Sequence, residues 1–105
     1  FHRVIKNNGT LIAQIPIDKN LKKTYENKEI INPRDRNKYF GQYDHVRVYG
    51  LDFYTRLANS GFMPKKIDIL KKISVEEKIK YCLPKDEVIP IGIAIKWFTN
   101  FLKNR

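Results

Sequence analysis

The runs TLIAQIPI, residues 10–17, and VIPIGIAI, residues 88–95, stand near the two ends of the chain and are nearly all apolar. Both are rich in β-branched residues, so both read as strands. The first lacks polar alternation and predicts a strand buried on both faces, the usual look of a parallel sheet. Pro16 is tolerable near its end, where a ladder stops, while Pro90 and Gly92 weaken the second run or mark a bulge.

The stretch between them carries its own punctuation. Asn8-Gly9 is turn chemistry suited to positive φ, and FHRVIK before it reads as the tail of a helix. Residues Asp18 to Gln42 lose apolar periodicity, with short helical pieces expected at LKKTYEN and NPRDRNKYF. In the second, Asn32 is the N-cap and Pro33 the first helical residue. LDFYTRLANSGF, residues 51–62, is the clearest helix: Asp52 starts it, Phe53, Leu57 and Ala58 share a face, and Gly61 follows its end. MPKKIDIL reads as a half-buried strand through Ile67 and Ile69. Ser74 and Glu77 match a capping box for a short helix that stops near Leu83-Pro84. KWFTNFLKNR places Trp97, Phe98, Phe101 and Leu102 at helical spacing, which predicts a docking helix. The order is an α/β pattern with only three strands. Three strands are few for that class and, with a chain opening on Phe1, point to a piece of something longer.

A chain of 105 residues, 42% of them hydrophobic, suffices for one domain with one core. No apolar run approaches the roughly 20 residues that span a bilayer, and the opening lacks the apolar core of a signal peptide. One cysteine, Cys82, excludes an internal disulfide and a cysteine-based zinc site; it reads as a buried structural thiol in a cytoplasmic protein. The net charge of +10 favours anionic partners. The cations are scattered in pairs such as Lys22-Lys23 and Lys71-Lys72, without the block of a nucleic-acid arm. A basic non-enzymatic module is therefore an alternative reading, binding nucleic acid or docking a protein through its C-terminal aromatic helix.

Catalytic signatures are few. The glycines at 9, 41, 50, 61 and 92 form no nucleotide loop. His2 and His45 are the only imidazoles, and no metal-ligand spacing surrounds them. The exception is FGQYDHVRVYG, residues 40–50. Alternation puts His45, Arg47 and Tyr49 on one side of an extended segment, with Asp44, Val46 and Val48 on the other. Such a face can take a proton, clamp an anion and donate a hydrogen bond. The plainer alternative is that Asp44 and Arg47 fix the loop while His45 is solvated, and spacing alone favours it.

Several pieces together resemble the C-terminal half of the class I S-adenosylmethionine-dependent methyltransferases. HRVIKNNGTLIAQIPI resembles their RVLKPGG turn and the strand after it, with Asn7-Asn8-Gly9 in place of Pro-Gly-Gly. FGQYDHVRVYGLDFYTRLANSGF resembles a segment of a bacterial subgroup, where a polar insertion ends in Asp-His-Val-Arg-x-Tyr-Gly before a helix ending in Gly-Phe. LPKDEVIPI resembles the approach to the family's last strand. The resemblance covers residues 2 to 95 and departs from Trp97 onward.

It implies a partial Rossmann-like methyltransferase fold, α/β, with a three-stranded mixed sheet and flanking helices. Residues 10–17, 65–70 and 88–95 would be the parent's strands five, six and seven, lying in the order five, seven, six, with the seventh antiparallel to the rest. Residues 1–105 would form a single C-terminal fragment, with 18–50 a polar insertion or lid and 97–105 an extra terminal helix. The chain would be the substrate-side half of the enzyme, inactive alone. The parent would use S-adenosylmethionine, with no cofactor expected for the fragment and no cofactor or metal residue in it. In the acceptor pocket His45 would take a proton or a hydrogen bond, and Asp44 would orient His45, Arg47 or Tyr49. Arg47, Tyr49 and Tyr43 would contact substrate. Expected partners are the missing N-terminal half and a second copy paired through an exposed strand edge; nucleic acid is compatible with the charge but not favoured.

Overall fold

The computed structural model describes residues 1–96; the terminal helix expected over 97–105 lies outside them. Along the chain come β1 (Thr10–Ile12), β2 (Tyr25–Glu26), α1 (Pro33–Phe40), β3 (Arg47–Val48), α2 (Phe53–Asn59), β4 (Phe62–Ile67), a 3₁₀ turn (Ile69–Lys72), α3 (Val75–Lys80) and β5 (Ile89–Ala94). They divide into two compact units, Pro16–Arg56 and the remainder of the chain.

In the second of these units β5 is the middle strand of a three-stranded sheet ordered β1-β5-β4. Both pairings are antiparallel. The expected three-stranded sheet with the last strand at its centre is found, but it is antiparallel throughout rather than mixed, and β2 and β3 form a second, unexpected two-stranded sheet. β1 is also no long buried strand: it has three residues, and Ile12 is 68% exposed.

Proline chemistry explains the short β1. In an antiparallel strand the N–H and C=O of one residue point to the same neighbour, and the direction alternates along the chain. Ala94 faces the β1 side, donating to Gly9 O at 2.9 Å and accepting from Asn8 N at 2.8 Å. Ile95 faces the other way and donates to Gly61 O at 3.0 Å. By this alternation Pro90 faces β1, and its carbonyl accepts from Ala13 N at 2.9 Å. Its ring nitrogen has no hydrogen to return. The Ala13 carbonyl takes Ile15 N instead, at 2.9 Å, and the ladder ends. Pro64 pairs with Gly92, whose polar groups face β1, so its nitrogen points to the outer edge of β4 and no ladder bond is lost. The register runs unbroken from Phe62 opposite Ala94 to Ile67 opposite Ile89, so neither Pro90 nor Gly92 makes a bulge.

Other local signals resolve as follows. Asn8 adopts φ 65, as its turn requires. Gly61 follows α2 at φ 94, and its N–H bonds Ala58 O at 3.1 Å. Ser74 Oγ accepts from Glu77 N at 3.1 Å, which starts α3. The opening residues form a single turn, with Val4 and Ile5 N–H on Phe1 O, and no helix. The strand expected over MPKKIDIL is β4, which begins at Phe62 and gives way to the 3₁₀ turn, and Leu70 rather than Ile67 or Ile69 is buried. Cys82 is exposed, against the expectation of a buried thiol. No helix among the described residues is long and apolar enough to cross a membrane.

Among the described residues of this unit, the buried side chains include Leu57, Phe62, Leu70, Pro90, Ile91 and Ala94. Phe62, 5% exposed, is the largest, and Gly92 makes room for it. A Cβ on Gly92 would lie 2.8 Å from Phe62 Cβ and 3.0 Å from Cγ. His2 stacks edge-on to the same ring, at 5.4 Å between centroids. Gly92→Ala is therefore expected to cost about 1–3 kcal/mol by overpacking. Urea denaturation of the single variant and of Gly92→Ala with Phe62→Leu checks it. The pair should lose less than the sum of the singles, because the smaller ring vacates the space the methyl needs.

Candidate functional site

The Pro16–Arg56 unit is built around a glycine that cannot carry a side chain. A Cβ on Gly50 would lie 2.7 Å from Leu21 O and 2.9 Å from Lys23 O, both rigid backbone atoms. That close approach lets residues 17–26 wrap the segment 47–52. Asp18 N bonds Tyr49 O at 2.9 Å, and Ile17 forms a parallel bridge with Tyr49. Leu51 N bonds Leu21 O at 2.8 Å and Asp52 N bonds Lys22 O at 3.2 Å. The chain then reverses, and β2 pairs antiparallel with β3, placing Tyr25 opposite Val48 and Glu26 opposite Arg47. LKKTYEN is thus a turn and a strand. The helix expected there does not form, because Tyr25 and Glu26 have ladder partners in β3. NPRDRNKYF does form α1, with Asn32 Oδ1 accepting from Arg34 N at 2.8 Å and Pro33 first in the helix.

One hydroxyl closes the wrap. Thr24 Oγ1 donates to Asp52 Oδ1 at 2.6 Å and accepts from Gly50 N at 3.2 Å. Thr24 N donates to the same Asp52 oxygen at 2.9 Å. Asp52 starts α2 as expected, but through its carbonyl, which accepts from Arg56 N at 3.0 Å. Its carboxylate is engaged by Thr24 rather than by the helix.

Beyond it lies a charged cluster. The Glu26 carboxylate meets Arg56 through both terminal nitrogens, at 3.3 and 3.4 Å. Arg47 Nε sits 3.1 Å from Glu26 Oε1, close enough to pair by charge, although its N–H is not aligned on that oxygen as a hydrogen bond. Both guanidiniums lie against the Tyr49 ring, at 5.7 and 5.8 Å from its centroid, and Arg47 Nη1 reaches the phenol oxygen at 3.5 Å. Phe53 packs edge-on to Tyr49 at 5.1 Å. Next to the cluster, Glu26, Lys28, Ile30, Arg36, Val46 and Arg47 line a half-open cavity of about 270 Å³.

The electrostatics follow from these contacts. The Arg56 hydrogen bond holds the Glu26 carboxyl below its ordinary range, against the opposing effect of desolvation. The Thr24 hydroxyl does the same for Asp52, aided by its amide and by Arg56. Both carboxylates are therefore bound as anions and are poor proton acceptors.

Of the residues singled out in FGQYDHVRVYG, Arg47 and Tyr49 come together in this cluster. Tyr43, Asp44 and His45 do not join it. The chain is extended only from Arg47, and the residues before it form a turn in which His45 N bonds Gln42 O at 3.2 Å. Alternation consequently holds for residues 47 and 49 and fails for 44–46. Tyr43 is 67% exposed, and no side-chain hydrogen bond among the described residues joins Asp44 to His45. No group of three or more metal-ligating side chains occurs among the described residues. Glu26, Thr24 and Arg56 were not anticipated. The spacing of Asp52 and Arg56, one helical turn apart and 3.7 Å between charges, was the available signal for the last. The chain matches no protein-family model, no curated protein and no solved structure.

Two outcomes are expected. Thr24→Val keeps the shape but leaves the buried Gly50 amide without its acceptor, a loss of about 1–3 kcal/mol. Thermal melts measure it. Glu26 and Asp52 titrate lower when folded, so their contribution is present above the ordinary carboxylate range and is lost as pH falls. The melting temperature should drop on acidification below about pH 4. Asp52→Asn should flatten that drop while lowering stability at neutral pH.

Proposed function

We propose that the chain supplies the acceptor-side part of an S-adenosylmethionine-dependent methyltransferase. The observation that carries this reading is the strand order β1-β5-β4, with the last strand lying antiparallel between the other two. That is the five, seven, six arrangement that the resemblance implies for a partial Rossmann-like sheet. The DHVRVYG segment supports it from a second direction. It combines a turn carrying exposed Tyr43 and Asp44 and half-buried His45 with a rigid base at Arg47 and Tyr49, the build of a loop that covers a bound acceptor.

In this reading Arg47 and Tyr49 form a fixed wall, since Glu26 and Phe53 hold them in place. His45, with no partner fixing its ring among the described residues, meets the acceptor and takes its proton or a hydrogen bond from it. Asp44, on the same turn, orients it. Methyl transfer is a displacement in which alignment of donor and acceptor supplies most of the acceleration, so a preformed wall matters more than a strong base. The cofactor provides the methyl group. The residues described here do not form its site, because none of the five glycines falls in a phosphate- or nucleotide-cradling spacing.

Calorimetric titration tests the division of labour. S-adenosylmethionine added to the 105-residue chain should show no saturable heat, and micromolar binding would sink the half-enzyme reading. The gene product that contains these residues should carry a glycine-rich strand–loop–helix and transfer methyl groups. There His45→Ala should lower turnover by about 10²-fold, the usual scale for a positioned acid or base.

A further inference from the structure

The cavity beside β3 has a charge its neighbours do not cancel. Three cations line it, Lys28, Arg36 and Arg47, against one carboxylate, Glu26. Glu26 is itself shared, since Arg56 takes both of its oxygens. Arg36 is anchored by Nε on Ile30 O at 3.3 Å, and its terminal nitrogens make no hydrogen bond among the described residues. Lys28 makes no ion pair among them either. Arg47 is braced between Glu26 and the Tyr49 ring. A half-open pocket lined by held guanidiniums therefore carries an excess of two positive charges.

We infer that this cavity is a binding site for a small organic phosphate monoester. The charge selects the class: a phosphate monoester with a second pKa of about 6 is close to dianionic at neutral pH, whereas a carboxylate brings one charge. Guanidiniums suit it because their forked N–H groups match phosphate oxygens. Size sets a limit. About 270 Å³ is below the roughly 300–1,000 Å³ typical of drug-sized ligands, so the group carried by the phosphate must be compact. Ile30 and Val46 supply an apolar wall for it. The site lies wholly within the Pro16–Arg56 unit. It goes beyond the methyltransferase reading and stands or falls apart from it, since its test contains no S-adenosylmethionine.

Phenyl phosphate, inorganic phosphate and benzoate are titrated separately into the isotopically labelled 105-residue chain, followed by backbone amide and arginine Nε–H resonances. Phenyl phosphate should give saturable shifts confined to residues 26–30, 36 and 46–47, binding more tightly than either of the others. Its affinity should rise between about pH 5 and 7 as the ligand takes its second charge. Arg36→Gln and Arg47→Gln should each weaken it about ten-fold, the scale of one charge-assisted hydrogen bond. Lys28→Gln should have a smaller effect in the same direction. Arg34→Gln removes an α1 charge that does not line the cavity and should change nothing. If Arg47→Gln perturbs the fold, seen as widespread spectral change, Arg36→Gln and Lys28→Gln decide. Shifts spread over the surface without saturation overturn the site. So does an Arg34→Gln loss equal to that of Arg36→Gln. Benzoate binding as tightly as phenyl phosphate overturns the ligand class, and inorganic phosphate doing so overturns the apolar wall.

Discussion

A single missing hydrogen, the one a proline lacks on its backbone nitrogen, decides where this chain leaves its sheet. Pro90 occupies the middle strand and faces β1, so it accepts from Ala13 but cannot donate back. The freed Ala13 carbonyl accepts from Ile15 N, and two residues further on Ile17 bridges to Tyr49. A proline placed one residue later would instead face β4, where the ladder is six residues long and the loss would fall in its interior. Position along the alternation, rather than the presence of proline, determines whether the sheet is broken or merely trimmed.

The Pro16–Arg56 unit depends on a comparable economy. It has only two two-residue strands and one helix of eight residues wholly its own, too little ladder to be stable by itself. Backbone contact at Gly50 and the triple role of Thr24 replace the missing regular structure. Each of these contacts converts a loop into a fixed platform, and Arg47 and Tyr49 inherit that rigidity because they lie within the wrapped segment. The ion pairs contribute differently. Glu26, Arg47 and Arg56 are each more than a third exposed at the side chain, so water screens them, and they orient groups more than they stabilise the unit.

Local chemistry was the legible part of the sequence. The Asn32 cap with Pro33, the Ser74 cap, the Gly61 stop and the strand over VIPIGIAI depend on neighbours a few residues away, and each is where its signal put it. Errors arose where a distant segment decided. TLIAQIPI has the composition of a long buried strand, but its length is set by Pro90, far along the chain. LKKTYEN has enough helix formers to suggest a helix, yet Thr24 and Glu26 find partners at Gly50, Asp52, Arg47 and Arg56 only in the folded unit. The candidate site was half legible for the same reason. Arg47 and Tyr49 were visible through alternation within one segment, while Glu26, which fixes Arg47 in place, belongs to another.

The net charge of +10 takes on a different meaning at this scale. Spread over a surface, single lysines are solvated and favour no particular anion, because each is screened within a Debye length of about 8 Å at physiological salt. Concentration and immobilisation are what convert charge into selectivity. Lys71 and Lys78 illustrate the first state: one pairs with Asp68 and the other donates to Lys85 O on the surface. Arg36 and Arg47 illustrate the second: one is anchored through Nε to a backbone oxygen, the other lies beside a carboxylate, and both line the same cavity. Guanidiniums held in advance lose little conformational freedom when an anion arrives, which is the physical difference between a basic protein and an anion site.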